Sequence, residues 1–383
     1  RVGLKLLRVI MGQGQSVCCQ AGLEEHIEVQ LLENQDLKAS VVDRVIELNE
    51  DQTSGNVPAA LEKITGKEVE EAYVREAVAE VEKHLREFDL DAADSAMMTW
   101  LERLNPAAAH QLKQTKTYRK LQQKLGQYEA AKDMILSDGF EVLWHQDATT
   151  MHVKRDPQRK IFEYKLVIEL DQPLSEAMAH FEEIDLVHKV QTQLSKPART
   201  FGDVTPWQKV VMMCFNVAVF RVEVINEVFR YRGKDGFILE GLRSDFDLEA
   251  HGIPEKTWFS TRPWNLTANL WLPHQDDPKK TTFIQVNRAT LGVRLPSWVL
   301  DTGTYFVARS FATDVQTFAH EMACPNSVWR ERISADKDGF YKELRNVEEA
   351  RSRSQASGSK SMLERSWLIP PELQDTTPSP LRK

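Results

Sequence analysis

Charged residues on one predicted strand are the first candidates for chemistry in this sequence. Residues 221–232 alternate in a pattern typical of a β-strand and include Arg221, Glu223 and Glu227, while Arg294 follows a later predicted strand. An arginine can pair with a phosphate, whereas an arginine beside a glutamate suits a hydroxyl or another neutral polar group. The same residues could instead be solvated charges, because alternation alone does not show which face of a sheet is buried.

Residues for covalent or metal-assisted catalysis do not occur in recognisable patterns. The histidines are dispersed, and no two form the His-x-x-x-His pair of zinc proteases. The sequence has no glycine-rich phosphate loop, no nucleophile elbow and no zinc-type cysteine spacing. We therefore expect no enzyme, no catalytic residue, no metal site and no cofactor. A cyclase-like enzyme that uses a few polar groups in a pocket is a less favoured alternative.

An amphipathic helix after the last predicted strand provides an apolar surface. The strand at 282–287 is followed by a break with glycine and proline, then by Trp298. Asp301 or Thr302 could cap the first turn of the helix. Apolar residues then recur at helical steps and share one face: Val307, Phe311, Val315, Phe318 and Met322. This face either packs into a core or covers a cavity.

A final strand, the Gly-x-x-x-Pro-x-Trp run at 292–298 and a long closing helix resemble the same part of START (StAR-related lipid-transfer) domains. The resemblance covers residues 118–322 and implies an α+β helix-grip fold, with a curved antiparallel sheet around a long C-terminal helix. It also implies intracellular lipid binding and transfer, with one phospholipid, sterol or sphingolipid held non-covalently in a tunnel that the helix closes. The lipid contacts would be Arg221, Glu223, Glu227, Arg294, Trp298, Val307, Phe311, Val315, Phe318 and Met322.

Composition is that of a globular protein. The chain has 383 residues, of which 42% are hydrophobic and 28% charged, with a formal net charge of -8. This charge and the lack of a nucleic-acid-binding signature argue against a nucleic-acid partner. No apolar stretch approaches the roughly 20 residues that cross a bilayer. The four cysteines show no disulfide framework, which favours a cytoplasmic location.

The N-terminal segment, residues 1–21, contains a lipidation pattern. Counted from Met11, the sequence matches the N-myristoylation pattern with Gly12 as the acceptor. One myristoyl chain gives only marginal membrane affinity, so palmitate on Cys18 and Cys19 would supply the second signal. These sites predict a peripheral protein on the cytosolic face of a membrane. If translation starts upstream of Met11, Gly12 is internal and carries no lipid.

Further segments complete the predicted organisation. Residues 22–105 are acidic with helical periodicity, and predict a bundle that either binds a protein partner or packs against the next domain. Residues 107–323 would form the START-like lipid-binding domain. Residues 324–383 predict a short helix around 347–353 and a disordered tail. If the helical region carries the function, the chain is instead a membrane-tethered scaffold or lipid sensor.

Two stretches inside residues 107–323 are harder to interpret. The segment 207–220 is compatible with either a short helix or a buried strand. Residues 245–278 contain several prolines with Trp258, Trp264 and Trp271, and predict a long loop. Exposed tryptophans there would contact lipid head groups at a cavity mouth, whereas buried ones would close the core beneath the loop.

Overall fold

The computed structural model describes residues 66–154, 161–191, 194–217, 220–233, 235–258, 260–274, 277–290, 297–324 and 326–356. The described helices are α1 (Gly66–Arg86), α2 (Leu90–Arg103), α3 (Pro106–Gln114), α4 (Lys116–Leu136), α5 (Leu174–Ala177), α6 (Ala179–Glu182), α7 (Ser297–Ala323), α8 (Val328–Ala335) and α9 (Phe340–Ala356). The predicted lipidation sites Gly12, Cys18 and Cys19 lie outside the described residues, as do Arg294 and the tail after residue 356.

Capping side chains separate three consecutive helices of the N-terminal region. Asp89, Asn105 and Thr115 precede α2, α3 and α4, and each side chain accepts a hydrogen bond from a backbone N–H in the first turn. Pro106 occupies the start of α3, where a missing N–H costs nothing. These caps explain why residues 90–136 form three helices with sharp boundaries.

The strands in the described ranges form one sheet of ten members. They are β1 (Glu141–Gln146), β2 (Thr149–Val153), β3 (Phe162–Leu170), β4 (Arg199–Phe201), β5 (Gln208–Val217), β6 (Phe220–Gly233), β7 (Phe237–Arg243), β8 (Ser260–Thr261), β9 (Trp264–Pro273) and β10 (Thr281–Thr290). Their order is β1-β2-β3-β10-β9-β7-β6-β5-β4, and every pairing along it is antiparallel. The short β8 pairs in parallel with β6, off this path.

The sheet has an inner face, which contacts α7, and an outer face, which contacts α4. On the outer face, Met134 and Ile135 of α4 share a core cluster with Leu270 and Ile284. Helices α1 and α2 also reach this face, through a cluster that contains Phe229. On the inner face, α5, α6, α8 and α9 pack beside α7. The fold is therefore α+β, with the antiparallel sheet and long C-terminal helix of the helix-grip arrangement expected from the sequence.

Several predicted boundaries were wrong. The segment 245–278, expected to be a loop, contains β9, because its prolines lie at the strand ends and not inside the ladder. Helix α7 begins at Ser297, so neither Asp301 nor Thr302 is its N-cap. For the segment 207–220, the strand alternative is correct, because most of it is β5. After α7, the chain forms α8 and a helix, α9, longer than the one expected around 347–353.

Candidate functional site

A row of hydrogen-bonded polar side chains crosses four strands of the inner face. We call it the polar ladder, and its members are directly opposite one another in the strand register: Gln285, Asn269, Glu240 and Arg230. Gln285 Nε2 donates to Asn269 Oδ1 at 3.0 Å, and Asn269 Nδ2 donates to Glu240 Oε1 at 2.7 Å. Arg230 Nε donates to Glu240 Oε2 at 2.6 Å. All four residues are buried, so these bonds replace the water that the groups lose.

The charged end of the ladder is a neutral, closed cluster. Arg230 also donates to Glu182 at the end of α6, and Lys209 Nζ lies 2.7 Å from a carboxylate oxygen of Glu182. Burial acts to raise the pKa of Glu182, but the charges of Arg230 and Lys209 outweigh it and lower that pKa. Burial lowers the pKa of Lys209 to about 8, and Arg230 acts in the same direction. The two cations Arg230 and Lys209 are thus balanced by two carboxylates, those of Glu182 and Glu240.

A second polar group lies farther along the same strands and consists of neutral side chains. We call it the amide end, and it comprises Asn226, Asn265, Thr267 and Asn287. Asn287 Nδ2 donates to Asn265 Oδ1 at 2.9 Å and to Thr267 Oγ1 at 2.7 Å. Asn265 Nδ2 donates to Asn226 Oδ1 at 3.2 Å. These bonds connect β10, β9 and β6 at a depth where Asn226 is only 2% exposed.

Apolar residues around the amide end are incompletely covered. The register places them on the inner face of β5, β6 and β7, in line with the ladder. Each is only half-buried: Met213, Phe215, Val222, Val224 and Leu242. Inner-face residues beneath a helix layer are usually fully buried, so these exposures indicate space or an opening in this part of the molecule.

The opposite end of the inner face is filled by aromatic rings. We call it the aromatic end, and its members are Phe181, Trp271, Phe283, Phe318 and Trp329. The ring centroids of Trp271 and Phe283 are 4.3 Å apart, and those of Phe318 and Trp329 are 5.0 Å apart. Trp271 and Phe283 are both 0% exposed. Rings at these distances form an interior core.

A buried histidine lies within the aromatic end. The ring of His180 lies 5.0 Å from Phe318 and 6.2 Å from Trp329, between α7 and α8. Its Nδ1 atom is buried and has no hydrogen-bond partner among the described residues. Burial lowers the pKa of His180 to about 4. The neutral imidazole therefore serves as a packing group here.

Three of the charged residues proposed from the sequence, Arg221, Glu223 and Glu227, lie on the outer face. Glu227 pairs in register with Arg243, and its carboxylate lies 2.7 Å from that guanidinium. Glu223 is held by Arg221 at 3.2 Å and by Arg262 at 3.0 Å. All of these side chains point away from the face that α7 covers, so the structure does not bring them to the helix stripe. Arg230 and Glu240, which the sequence interpretation did not single out, form an ion pair on the inner face instead.

Most described residues of the predicted apolar stripe on α7 lie in the core, and one lies at a half-buried position. Val315, Phe318 and Met322 are 0–2% exposed and belong to the main core cluster. Phe311 is half-buried, with its ring 6.1 Å from that of Phe283. Trp298 and Val307 lie in α7, but their side chains are outside the described part of the chain, as is Arg294.

The sequence interpretation missed the amide end because it treated β9 as a loop. A detectable signal was present: Asn265, Thr267 and Asn269 alternate with apolar residues along one strand. The apolar set faces α4, so the polar set faces inward, opposite to the usual arrangement. Recognising this inversion required knowing that helices cover both faces of the sheet.

An open cleft also occurs at the far end of α7. It has a volume of about 380 Å³, and its lining includes Thr149, Ile168, Gln172, Gln316 and Arg330. Acidic residues surround its rim, and it opens to solvent, which makes it a poor enclosure for an apolar ligand.

Across the ranges that the structure describes, no helix combines the length and apolar character needed to span a bilayer. The same residues include no group of three or more His, Cys, Asp or Glu side chains that could hold a metal ion.

No protein-family model and no curated protein sequence matches the chain. Solved structures of StAR-related lipid-transfer proteins are similar to it. Human STARD10 has a TM-score of 0.48 at 12% identity, over 57% of this chain and 86% of that one. Human StAR-related lipid transfer protein 5 has a TM-score of 0.45 at 16% identity, over 52% and 98%. A StAR-related lipid transfer protein from Xanthomonas axonopodis has a TM-score of 0.41 at 10% identity, over 49% and 100%.

Proposed function

We propose that the chain binds one amphipathic lipid non-covalently on the inner face of the sheet, between the amide end and α7. The observation that carries the proposal is the combination of buried polar groups with half-buried apolar residues on one face. A lipid needs both, because its head group must keep its hydrogen bonds while its chains leave water. Each CH₂ group removed from water contributes roughly 0.8 kcal/mol, so the acyl chains of a lipid favour an apolar enclosure over aqueous solution.

The course of α7 supports this position. Gln316 Nε2 lies 3.5 Å from Thr149 Oγ1 of β2, whereas Phe311 is next to Phe283 of β10. Toward its N-terminus the helix therefore crosses from β2 to β10. The helix rises 1.5 Å per residue, so if it continues in that direction its first turns approach β7, β6 and β5, which carry the half-buried residues. A lipid would lie beneath these turns.

Transfer between membranes follows if the lipid can enter from a bilayer. Trp258 is 94% exposed and lies just before β8, which pairs with Val222 of β6. That pairing brings this segment of the chain to the strand that carries Val222 and Val224, and an exposed tryptophan ring has the apolar body and polar tip that insert among lipid head groups. Trp258→Ala should weaken vesicle binding, while Met98→Ala, at an exposed site on α2, should not.

Lipid extraction from the purified chain tests the proposed function directly. We expect about one lipid per chain by mass spectrometry, and uptake of fluorescent lipid from vesicles. Val224→Trp adds volume at a half-buried inner-face position and should weaken uptake about tenfold if the ligand occupies that space. Val142→Trp, at a position 42% exposed on β1, is the matched control. Absence of bound lipid together with equal uptake by both variants would contradict the proposal.

A further inference from the structure

We infer that the amide end selects a lipid whose head group is uncharged and carries hydroxyl or amide groups, in preference to a phospholipid. This inference rests on the proposed function and names its ligand class. The amide end presents only neutral side chains, from asparagine and threonine. Such groups match a ligand that both donates and accepts hydrogen bonds without bringing charge into the interior.

The hydrogen bonds inside the amide end leave one donor and one acceptor for a ligand. Asn265 Oδ1 accepts from Asn287 and from Thr267, and the amide nitrogen of Asn265 donates to Asn226. Asn226 therefore uses its oxygen in this network and leaves its Nδ2 for a ligand, on a residue that is 2% exposed overall. The oxygen of Asn287, which is half-buried, likewise has no described partner. A hydroxyl can accept from the first and donate to the second.

The cations of the inner face are already neutralised. The described strands place Lys209, Arg230 and Arg232 on this face, and each pairs with a carboxylate. Arg230 also donates to the carbonyl oxygens of Pro206 and Phe181, which occupies its guanidinium further. A buried phosphate would need a free cation or several donors, since an unpaired buried charge is strongly unfavourable. The described part of the inner face supplies neither.

The inference is tested with four fluorescent probes of matched chain length: NBD-ceramide, NBD-diacylglycerol, NBD-phosphatidylcholine and NBD-phosphatidic acid. We expect the two uncharged lipids to bind at least about tenfold more tightly than the two phospholipids, given the cost of burying phosphate. Equal or tighter binding of the phospholipids would overturn the selectivity while leaving lipid binding intact. Failure of all four probes to bind would overturn the proposed function itself.

Two variants locate the selectivity. Asn226→Leu and Asn287→Leu each remove one available polar atom, so the preference for NBD-ceramide over NBD-phosphatidylcholine should fall about three- to tenfold. Thr282→Val on the outer side of β10 is the matched control, since it removes a polar group from the same strand. Equal losses for all probes, or no loss for any, would contradict the assignment. Should a variant fail to fold, the probe series on the unaltered chain still decides.

Discussion

The aromatic end and the amide end are built by the same strands, only a few residues apart. On β10, Phe283 belongs to the first and Asn287 to the second; on β9, Trp271 and Asn265 stand in the same relation. At the aromatic end, rings contact one another and leave the side chains 0–2% exposed at Trp271, Phe283 and Phe318. At the amide end, buried polar groups adjoin apolar residues that are only half-buried.

This contrast separates stability from binding. A face needed only for packing gains most from aliphatic and aromatic groups, because each buried amide must recover the hydrogen bonds that water gave it. The network of the amide end uses the oxygen of Asn226 and leaves its Nδ2 available to a ligand. We therefore expect changes at the aromatic end to affect unfolding, and changes near the amide end to affect uptake. The following variants test that division.

Phe318→Ala should have the largest effect on stability. The ring is 1% exposed and packs on His180 and Trp329, so its loss leaves a cavity between α7 and α8. We expect the free energy of unfolding to fall by about 4 kcal/mol, measured by chemical denaturation. Thr317→Ala, at the exposed neighbouring position, is the control. A loss below about 1 kcal/mol would show that the aromatic end is not a close-packed core.

Acid should destabilise the aromatic end through His180. The folded pKa of about 4 lies below the usual 6.5, so between these values the unfolded chain binds a proton that the folded chain does not. Stability attributable to this residue is therefore complete above pH 6.5 and falls as pH decreases toward 4, by about 3 kcal/mol in total. His180→Leu should remove this component, measured by unfolding at several pH values.

The control for the acid experiment is His188→Leu, because His188 is an exposed histidine that follows α6 in the sequence. It should leave the pH dependence unchanged. An identical pH profile for the unaltered chain and His180→Leu would mean that the imidazole is accessible to protons in the folded state.

Phe311→Ala should affect uptake more than stability. The ring is half-buried at the boundary between the aromatic end and the first turns of α7, so we expect a stability loss of only about 1–2 kcal/mol. Fluorescent-lipid uptake should weaken about tenfold if the ring also contacts a bound lipid, since a tenfold change needs only about 1.4 kcal/mol. Thr313→Ala is the exposed control. Unchanged uptake would place the ligand away from this part of α7.

Glu223→Gln should have the smallest effect on uptake and tests the residues first proposed from the sequence. Glu223 is buried between Arg221 and Arg262 on the outer face, so its neutralisation should cost about 2–3 kcal/mol of stability and leave lipid uptake unchanged. Loss of uptake at an unaltered melting temperature would instead support the sequence-based assignment of this residue to the ligand.

Much of the architecture could be predicted from local patterns. The alternation in 221–232 and 282–287 indicated strands that the structure contains as β6 and β10. The four-residue recurrence of Phe311, Val315 and Phe318 indicated the closing helix. Both signals are local because the periods of helix and strand are fixed by the backbone. The central strand β9 escaped detection because its prolines suggested a loop.

The sequence by itself determined several of the strands, the long helix that follows the last of them, and the apolar stripe of α7. Tertiary structure alone decided which side of each strand faces α7: it put Arg221, Glu223 and Glu227 outside and Arg230, Asn226 and Asn287 inside. The physical reason is that alternation assigns residues to two faces of a strand but does not show which face contacts α7. When helices cover both faces, only the packed arrangement shows which polar residues are buried together.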